Sequence, residues 1–401
     1  MKGTTGLMEG AAIGRGTAGA LAAVFVILIG IPPVHQFVRE VRGSGRWRFL
    51  SLFRERPTRE SLKAFEDGLA RDSDLAAKVR APYQSFLTRA LRQGNEKVVV
   101  GRNGWLFYRQ EVEMVTGPGF LSRKAAPERG TEKDRAKPAD PVAAIVDFHR
   151  RLRARGIHLV FVPIPVKPFI YPEEVWPGYP VSAGPAWNAD RDAFLRRLGE
   201  AGVETVDVTD DLWRAKGGAD LYLRNDTHWT PRGLGVAADR IAAGVRPCLE
   251  GIPREDFAIR REVVTGAGDL RRSLEVRPWA GLVPSQTVEI ERILQEGGGG
   301  IRGGDDAPVL LLGDSFTNVY SRKELEWGEG AGLGEQLAAR LGVRVQVIAI
   351  DGGGATAVRE TVAARPSALR RKKVVVWACS ARDLYDGDVT WEVVPLAEGK
   401  P

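Results

Sequence analysis

The chain has 401 residues, enough for one large domain or two ordinary ones, and its 43% apolar content supports a real core. A formal charge of +7 makes the surface basic. No zinc-finger spacing, RNA-binding signature or concentrated basic helix accompanies that charge, so nucleic acid is not the expected partner.

In chain order, 1–15 reads as a short tail and Gly16–Val34 as an uncharged run. About 19 residues at ~1.5 Å each nearly cross a hydrocarbon core of ~30 Å. The run is expected to be an uncleaved membrane anchor, because no small-residue cleavage site follows it; a cleaved signal peptide is the second reading. Arg39, Arg42, Arg46 and Arg48 follow the run, and on charge bias alone they would keep the body in the cytoplasm. Residues 35–96 are charged, with Leu62, Phe65, Leu69, Leu75, Val79 and Phe86 at loosely helical spacing, as in a stalk or cover. Lys97–Tyr108 places two apolar runs around Gly101-Arg102-Asn103-Gly104, a hairpin with an Asn-Gly turn. Arg123–Asp140 has almost no large apolar residue and reads as a surface loop.

From Pro141 helices and strands alternate. Helices are expected at Val142–Arg155, Asp190–Ala201, Pro231–Val245 (with Thr230 as N-cap), near Leu333–Leu341 and near Ala355–Ala364. Strands are expected at Ile157–Ile164, Val203–Val208, Val309–Leu312, Arg344–Ile350 and Val374–Trp377. Cys248 to about Gly304 is expected to be an irregular insertion with short strands. This alternation predicts an α/β fold with a mainly parallel central sheet covered on both faces. Ligands of such sheets sit beyond the carboxyl ends of the strands. Gly313-Asp314-Ser315, Asp351–Gly354 and Ala378–Arg382 all fall there.

Ser315 follows a buried strand at a sharp turn that opens a helix. It is either a helix cap or a nucleophile whose oxyanion faces helix N–H groups. A nucleophile needs a base, and the chain has four histidines. His35 lies at the membrane boundary, His149 in a helix beside arginines and expected to be exposed, and His158 at the start of a buried strand. His228 lies on a loop before a capped helix, with Asp226 two residues earlier. In extended backbone, i and i+2 share a side, so Asp226 can accept from Nδ1 and leave Nε2 free to take a proton. Taken alone, the pair is more often an Asx-type turn before a helix than a catalytic dyad. A metal site is not expected, since no second histidine stands at ligand spacing. Taken together, the turn and the loop make a Ser–His–Asp triad of Ser315, His228 and Asp226 the leading expectation.

Gly101–Phe107, Pro163–Pro172, Asp226–Trp229, Gly268–Leu270, Gly313–Phe316, Val374–Trp377 and Arg382-Asp383 together resemble the SGNH-hydrolase-like domain of the alginate O-acetyltransferase AlgX/AlgJ family, over roughly residues 97–385. The histidine motif precedes the serine motif, so the order looks circularly permuted relative to ordinary GDSL esterases. The resemblance implies an SGNH-like three-layer sandwich across 97–390, with a tail at 391–401. No carbohydrate-binding module follows, which places the chain nearer the AlgJ type. The resemblance implies Ser315 as nucleophile, His228 as base and Asp226 as its orienter, acting in acetyl transfer to hydroxyls of an exported polysaccharide. It implies a single-pass inner-membrane protein with its catalytic body in the periplasm, and a membrane-bound O-acyltransferase as partner. No cofactor is implied beyond the acetyl donor. The family's oxyanion Asn has no clear match; Ser315, Gly352, Gly353 and Arg382 are the oxyanion candidates. Lys167, Trp105, Trp229 and Trp377 are the substrate-binding candidates. An acetylesterase with the same triad, and a non-catalytic export scaffold, are the rival readings.

Overall fold

The computed structural model describes residues 14–43, 56, 58, 59, 61–63, 65, 74–121, 140–277, 281–295, 297–301, 303–386 and 391–396. The expected tail at 1–15, most of the linker between the first two helices, and the loop at 123–140 lie largely outside these residues. The chain divides into two units, Met1–Phe86 and Leu87–Pro401.

The first unit carries the helix Arg15–Gly43. Leu21, Val24, Phe25, Val26, Ile27 and Ile31 are exposed on it. Among the described residues no helix is long and apolar enough to cross a membrane. The run expected at 16–34 as an anchor forms part of a longer helix that continues into Arg39, Glu40 and Arg42. A second helix, Asp74–Leu91, occupies the end of the expected stalk.

The second unit is built on a five-stranded parallel sheet. Its strands are β3 (His158–Ile164), β4 (Glu204–Thr205), β7 (Val309–Gly313), β8 (Val345–Ala349) and β9 (Val374–Ser380), in the order β4-β3-β9-β7-β8. β7 and β9 are buried at every residue, as continuous apolar runs require. The helix Arg191–Glu200 links β3 to β4, while Leu333–Leu341 links β7 to β8 in the opposite direction across the sheet. Right-handed crossovers that run in opposite directions put their helices on opposite faces. Phe148, Phe161, Phe194 and Trp377 interlock by edge-to-face contacts on one face, with centroids 5.4–6.1 Å apart. Helix Pro231–Val245 packs with Leu333–Leu341 on the other. Connections from β3 and β7 thus depart in opposite directions, leaving a crevice at the carboxyl ends around β9.

The hairpin forms as expected: β1 (Val98–Val100) pairs with β2 (Leu106–Tyr108). Asn103 and Gly104 take φ of 51° and 79°, the left-handed region that an Asn-Gly turn supplies. Asp140 caps Pro141–Arg153 through Val142 N, and Thr230 caps Pro231–Val245 through Gly233 N.

Other expectations differ. The segment after Cys248 is no irregular insertion but a regular antiparallel ribbon, β5 (Phe257–Gly266) and β6 (Gln286–Gln295), paired over ten residues. Its exposed face mixes Ile259, Arg261, Val263 and Thr265, so it lacks a strand's usual apolar-polar alternation. His149 is buried, because it lies one turn from Ile145 on the packed face of its helix, while His158 is exposed at the first position of β3. The predicted tail at 391–401 packs down at its start: Trp391 is buried, lies 5.9 Å from Trp377 and donates to Asp383 O at 3.0 Å. Cys248 and Cys379 are both free.

Candidate active site

At the end of β7 the chain turns at Asp314 into the short helix Ser315–Asn318. Asp314 Oδ1 accepts from Phe316 N at 2.8 Å, and Oδ2 accepts from Ser380 N at 3.2 Å. Asp314 therefore does the capping and also ties β7 to β9. The Ser315 hydroxyl is left for other use.

The loop before Pro231 brings His228 to that hydroxyl. Nε2 lies 2.8 Å from Ser315 Oγ, and Nδ1 lies 2.5 Å from Asp226 Oδ1. Ser315, His228 and Asp226 are 8%, 5% and 2% exposed, so all three are buried. The His228 N–H also donates to Asp226 Oδ1, at 3.0 Å, which is the Asx-type turn itself. Turn and dyad are thus the same structure: the turn supplies the orientation that the chemistry needs. Phe316 stands edge-on to the imidazole at 4.8 Å and limits its rotation.

Electrostatics follow from this geometry. Burial alone would raise the Asp226 carboxyl, but the His228 charge and the hydrogen bonds from His228 and Trp327 outweigh it and hold it well below the usual carboxylate range. Burial alone would lower His228, and the Asp226 charge and hydrogen bond raise it above its ordinary value. Such an imidazole takes the serine proton readily and is stabilised as imidazolium.

Sequence reasoning assigned no role to Asp269 or Trp327. Asp269 N donates to Asp226 Oδ2 at 3.0 Å, and Trp327 Nε1 donates to the same oxygen at 2.9 Å. The Asp269 carboxylate accepts from Thr227 N at 2.8 Å and from Thr227 Oγ1 at 2.6 Å. The motif Gly268-Asp269-Leu270 was the available signal for one of them; Trp327 stands in no motif. Asp226, His228 and Asp269 present ligand atoms within 4.8 Å of one another. Every one of those oxygens already accepts a protein hydrogen bond, and Nε2 faces Ser315, so an ion would have to break the network.

The oxyanion candidates separate. Gly353 N–H donates to Ile350 O at 3.1 Å, which commits that amide to the turn after β8. Gly352, at φ 66°, is exposed on the same turn. Asn318 joins that turn to the serine helix by donating to Asp351 Oδ1 at 2.8 Å. Arg382, just after β9, lies over the Phe316 ring at 5.8 Å and pairs with the buried Glu111 at 3.2 Å. Burial pushes the Glu111 carboxyl up to about 7 against the pull of Arg382.

The four substrate-contact candidates are overturned. Trp105, Trp229 and Trp377 are interior, at 2%, 0% and 1% exposure, and offer no ring face to a sugar. Lys167 is fully buried; Nζ donates to Leu106 O at 2.7 Å and to Arg224 O at 3.4 Å, between the Trp105 and Phe107 rings. Burial pulls its ammonium down to about 8. It is a brace between the hairpin and the loop that carries Asp226, not a rim contact.

Known proteins share this arrangement of chain. The family model described as the SGNH hydrolase-like domain of acetyltransferase AlgX matches residues 98–381. The probable alginate O-acetylase AlgJ of Pseudomonas aeruginosa is 29% identical over 227 residues, 56% of this chain and 53% of its own. The alginate biosynthesis protein AlgX of Pseudomonas putida is 24% identical over 268 residues, 61% of this chain and 52% of its own. This chain thus spans about half the length of the curated relatives it matches. Among solved structures, the O-acetyltransferase domain of Pseudomonas putida AlgJ superposes with a TM-score of 0.54 at 23% identity, over 73% of this chain and 93% of that one. The fold is therefore the SGNH-hydrolase-like α/β fold. With the family model covering most of its length, this chain belongs to the SGNH hydrolase-like AlgX acetyltransferase family.

Proposed function

We propose that the protein is a serine-dependent O-acetyltransferase that moves acetyl groups onto hydroxyls of an exported polysaccharide. The observation that carries this reading is the continuous line from Ser315 Oγ through His228 to Asp226, at 2.8 and 2.5 Å, at the crevice of a parallel sheet. His228 takes the Ser315 proton as Oγ attacks the acetyl carbonyl of the donor. The tetrahedral intermediate collapses, the leaving group takes the proton back, and acetyl-serine remains. A sugar hydroxyl then gives its proton to His228 and attacks the acetyl-serine; as the ester to Oγ breaks, His228 passes that proton to Ser315 Oγ, which restores the serine and the neutral imidazole. The Ser315 N–H, which Asp314 does not engage, is the first oxyanion donor in this reading; Arg382 is the nearby cation for developing charge.

The relatives' names, which speak of alginate O-acetylation, support a polyuronate acceptor, and the net charge of +7 suits an acidic glycan. Attachment to the inner membrane through residues 16–34, with the catalytic body in the periplasm and a membrane-bound O-acyltransferase supplying acetyl, belongs to the same proposal. It rests on the uncharged run Gly16–Val34, the exposure of its apolar side chains and the family resemblance. Alkaline extraction of membranes tests the attachment; release of the chain with the peripheral proteins would remove it. Co-purification from detergent tests the acyltransferase partner; recovery of the chain alone would remove that part.

The function is tested with an acetyl ester as donor and an oligoglycan as acceptor. Transfer predicts acetylated glycan and an acetyl adduct on the Ser315 peptide, both lost in Ser315→Ala. Acetate release unchanged by any acceptor would make the protein an esterase, and full activity in Ser315→Ala would remove the triad.

A further inference from the structure

We propose that Trp327 is a positioning residue of this site: its indole N–H, with the Asp269 backbone N–H, locks the Asp226 carboxylate in line with His228. The proposal rests on the triad reading above and extends it to the residue that holds the triad's acid in place.

Asp226 has two oxygens with separate duties. Oδ1 faces His228, through Nδ1 at 2.5 Å and the backbone N–H at 3.0 Å. Oδ2 faces away and takes two donors, Trp327 Nε1 at 2.9 Å and Asp269 N at 3.0 Å. A carboxylate gripped only at Oδ1 turns freely about its terminal torsion, which is broad and roughly two-fold. Donors on Oδ2 remove that freedom before the substrate arrives, at no cost during the reaction.

The chain is shaped to admit the indole. Trp327 is fully buried, and a Cβ on Gly266, the last residue of β5, would come within 2.9 Å of its ring. Gly266 thus leaves the space that the ring fills. Two residues on, Gly268 takes φ +86°, and a Cβ there would come within 2.2 Å of Asn225 O. Both glycines let the end of the ribbon close on the loop that bears Asp226, so that Asp269 N reaches Oδ2. The ribbon is therefore part of the catalytic architecture. No apolar-packing requirement explains an indole N–H aimed at a carboxylate 101 residues away in sequence.

Trp327→Phe keeps a ring in the space and deletes the donor. With an aryl acetate as probe, kcat/KM should fall about 10- to 100-fold, as expected for losing a hydrogen bond to a charged group. The fall should lie in kcat, with KM nearly constant. The acid limb of the pH–rate profile should move to higher pH, because a carboxylate relieved of a donor pulls harder on the imidazolium. The charged groups around His228 are Asp226, Asp269, Arg382 and Glu111, and all are kept in this variant. Gly266→Ala, which displaces the ring without deleting it, should give the same kcat loss and the same direction of limb shift. If Trp327→Phe does not fold, Gly266→Ala and the downfield proton of His228 Nδ1–H by NMR carry the test. A wild-type pH limb and kcat in the folded variants would overturn the role of Trp327. If Ser315→Ala itself keeps full activity, it is the triad reading that fails, whatever the Trp327 variants do.

Discussion

At the residue scale, the site is governed by one charge pair whose two members shift in opposite directions. Asp226 is held ionised, and His228 is raised above the ordinary histidine value of 6.5 by it. A base must be neutral to accept the serine proton, so activity should rise with pH through a limb lying above 6.5. Asp226→Asn removes the anion that holds the proton on the ring. Its limb should therefore move to lower pH, while the rate falls by about 10³- to 10⁴-fold from loss of orientation. A pH–rate profile with an acetyl ester checks both; an Asn variant with an unmoved limb would separate Asp226 from the titrating group. The sequence disclosed this pair because its spacing was local: i and i+2 on one loop. Trp327 was not legible, since its partner lies 101 residues away, and Asp269 showed only as part of the Gly268–Leu270 motif, its contact with Asp226 43 residues away being set by the fold. Lys167 misled for a related reason. A lysine at a strand end is normally solvated, and nothing local announces that it will meet two buried carbonyls.

At the element scale, strands buried on both faces were the most legible, because β7 and β9 are unbroken apolar runs between turn residues. Edge and surface strands were less so. The expected strand Val203–Val208 reduces to Glu204–Thr205 at the sheet edge, where only one side is paired. The ribbon β5–β6 escaped because Arg260, Arg261, Glu289 and Glu291 interrupt its apolar pattern, although Ile290 and Ile293 of β6 are buried in the core. Trp377 shows what the buried strands contribute. Read from sequence as a possible sugar platform, it is the centre of the aromatic cluster, touching Phe148, Phe161 and Trp391, with Arg359 stacked at 5.2 Å. Trp377→Ala should destabilise the catalytic unit by about 3–5 kcal/mol. Because β9 also presents Ser380 N to Asp314, the serine turn should loosen along with it. Denaturant unfolding measures the loss, and a change below about 1 kcal/mol would contradict the core assignment.

At the scale of the whole molecule, charge is the property that bears most on the choice of acceptor. The net +7 arises from 58 basic and 51 acidic side chains, many of them paired across the surface, as Arg292 is with Glu262 and Glu329. Such pairs add little stability, but the excess of cations creates a field that a polyanion feels before contact. That field decays over about 10 Å at 0.1 M salt, so its contribution is separable from the chemistry by ionic strength alone. The chemical step is shielded: His228 and Asp226 are buried and change little in the salt they experience. Raising salt from about 0.05 to about 0.5 M should therefore lower kcat/KM for a polyuronate acceptor several-fold, through KM, while leaving kcat and the cleavage of a small neutral acetyl ester nearly unchanged. A neutral glycan serves as the control, since it has no charge to steer. Equal salt dependence for both glycans, or none for either, would show that the basic surface does not select the acceptor, and would move the search for specificity to the rim around Ser315.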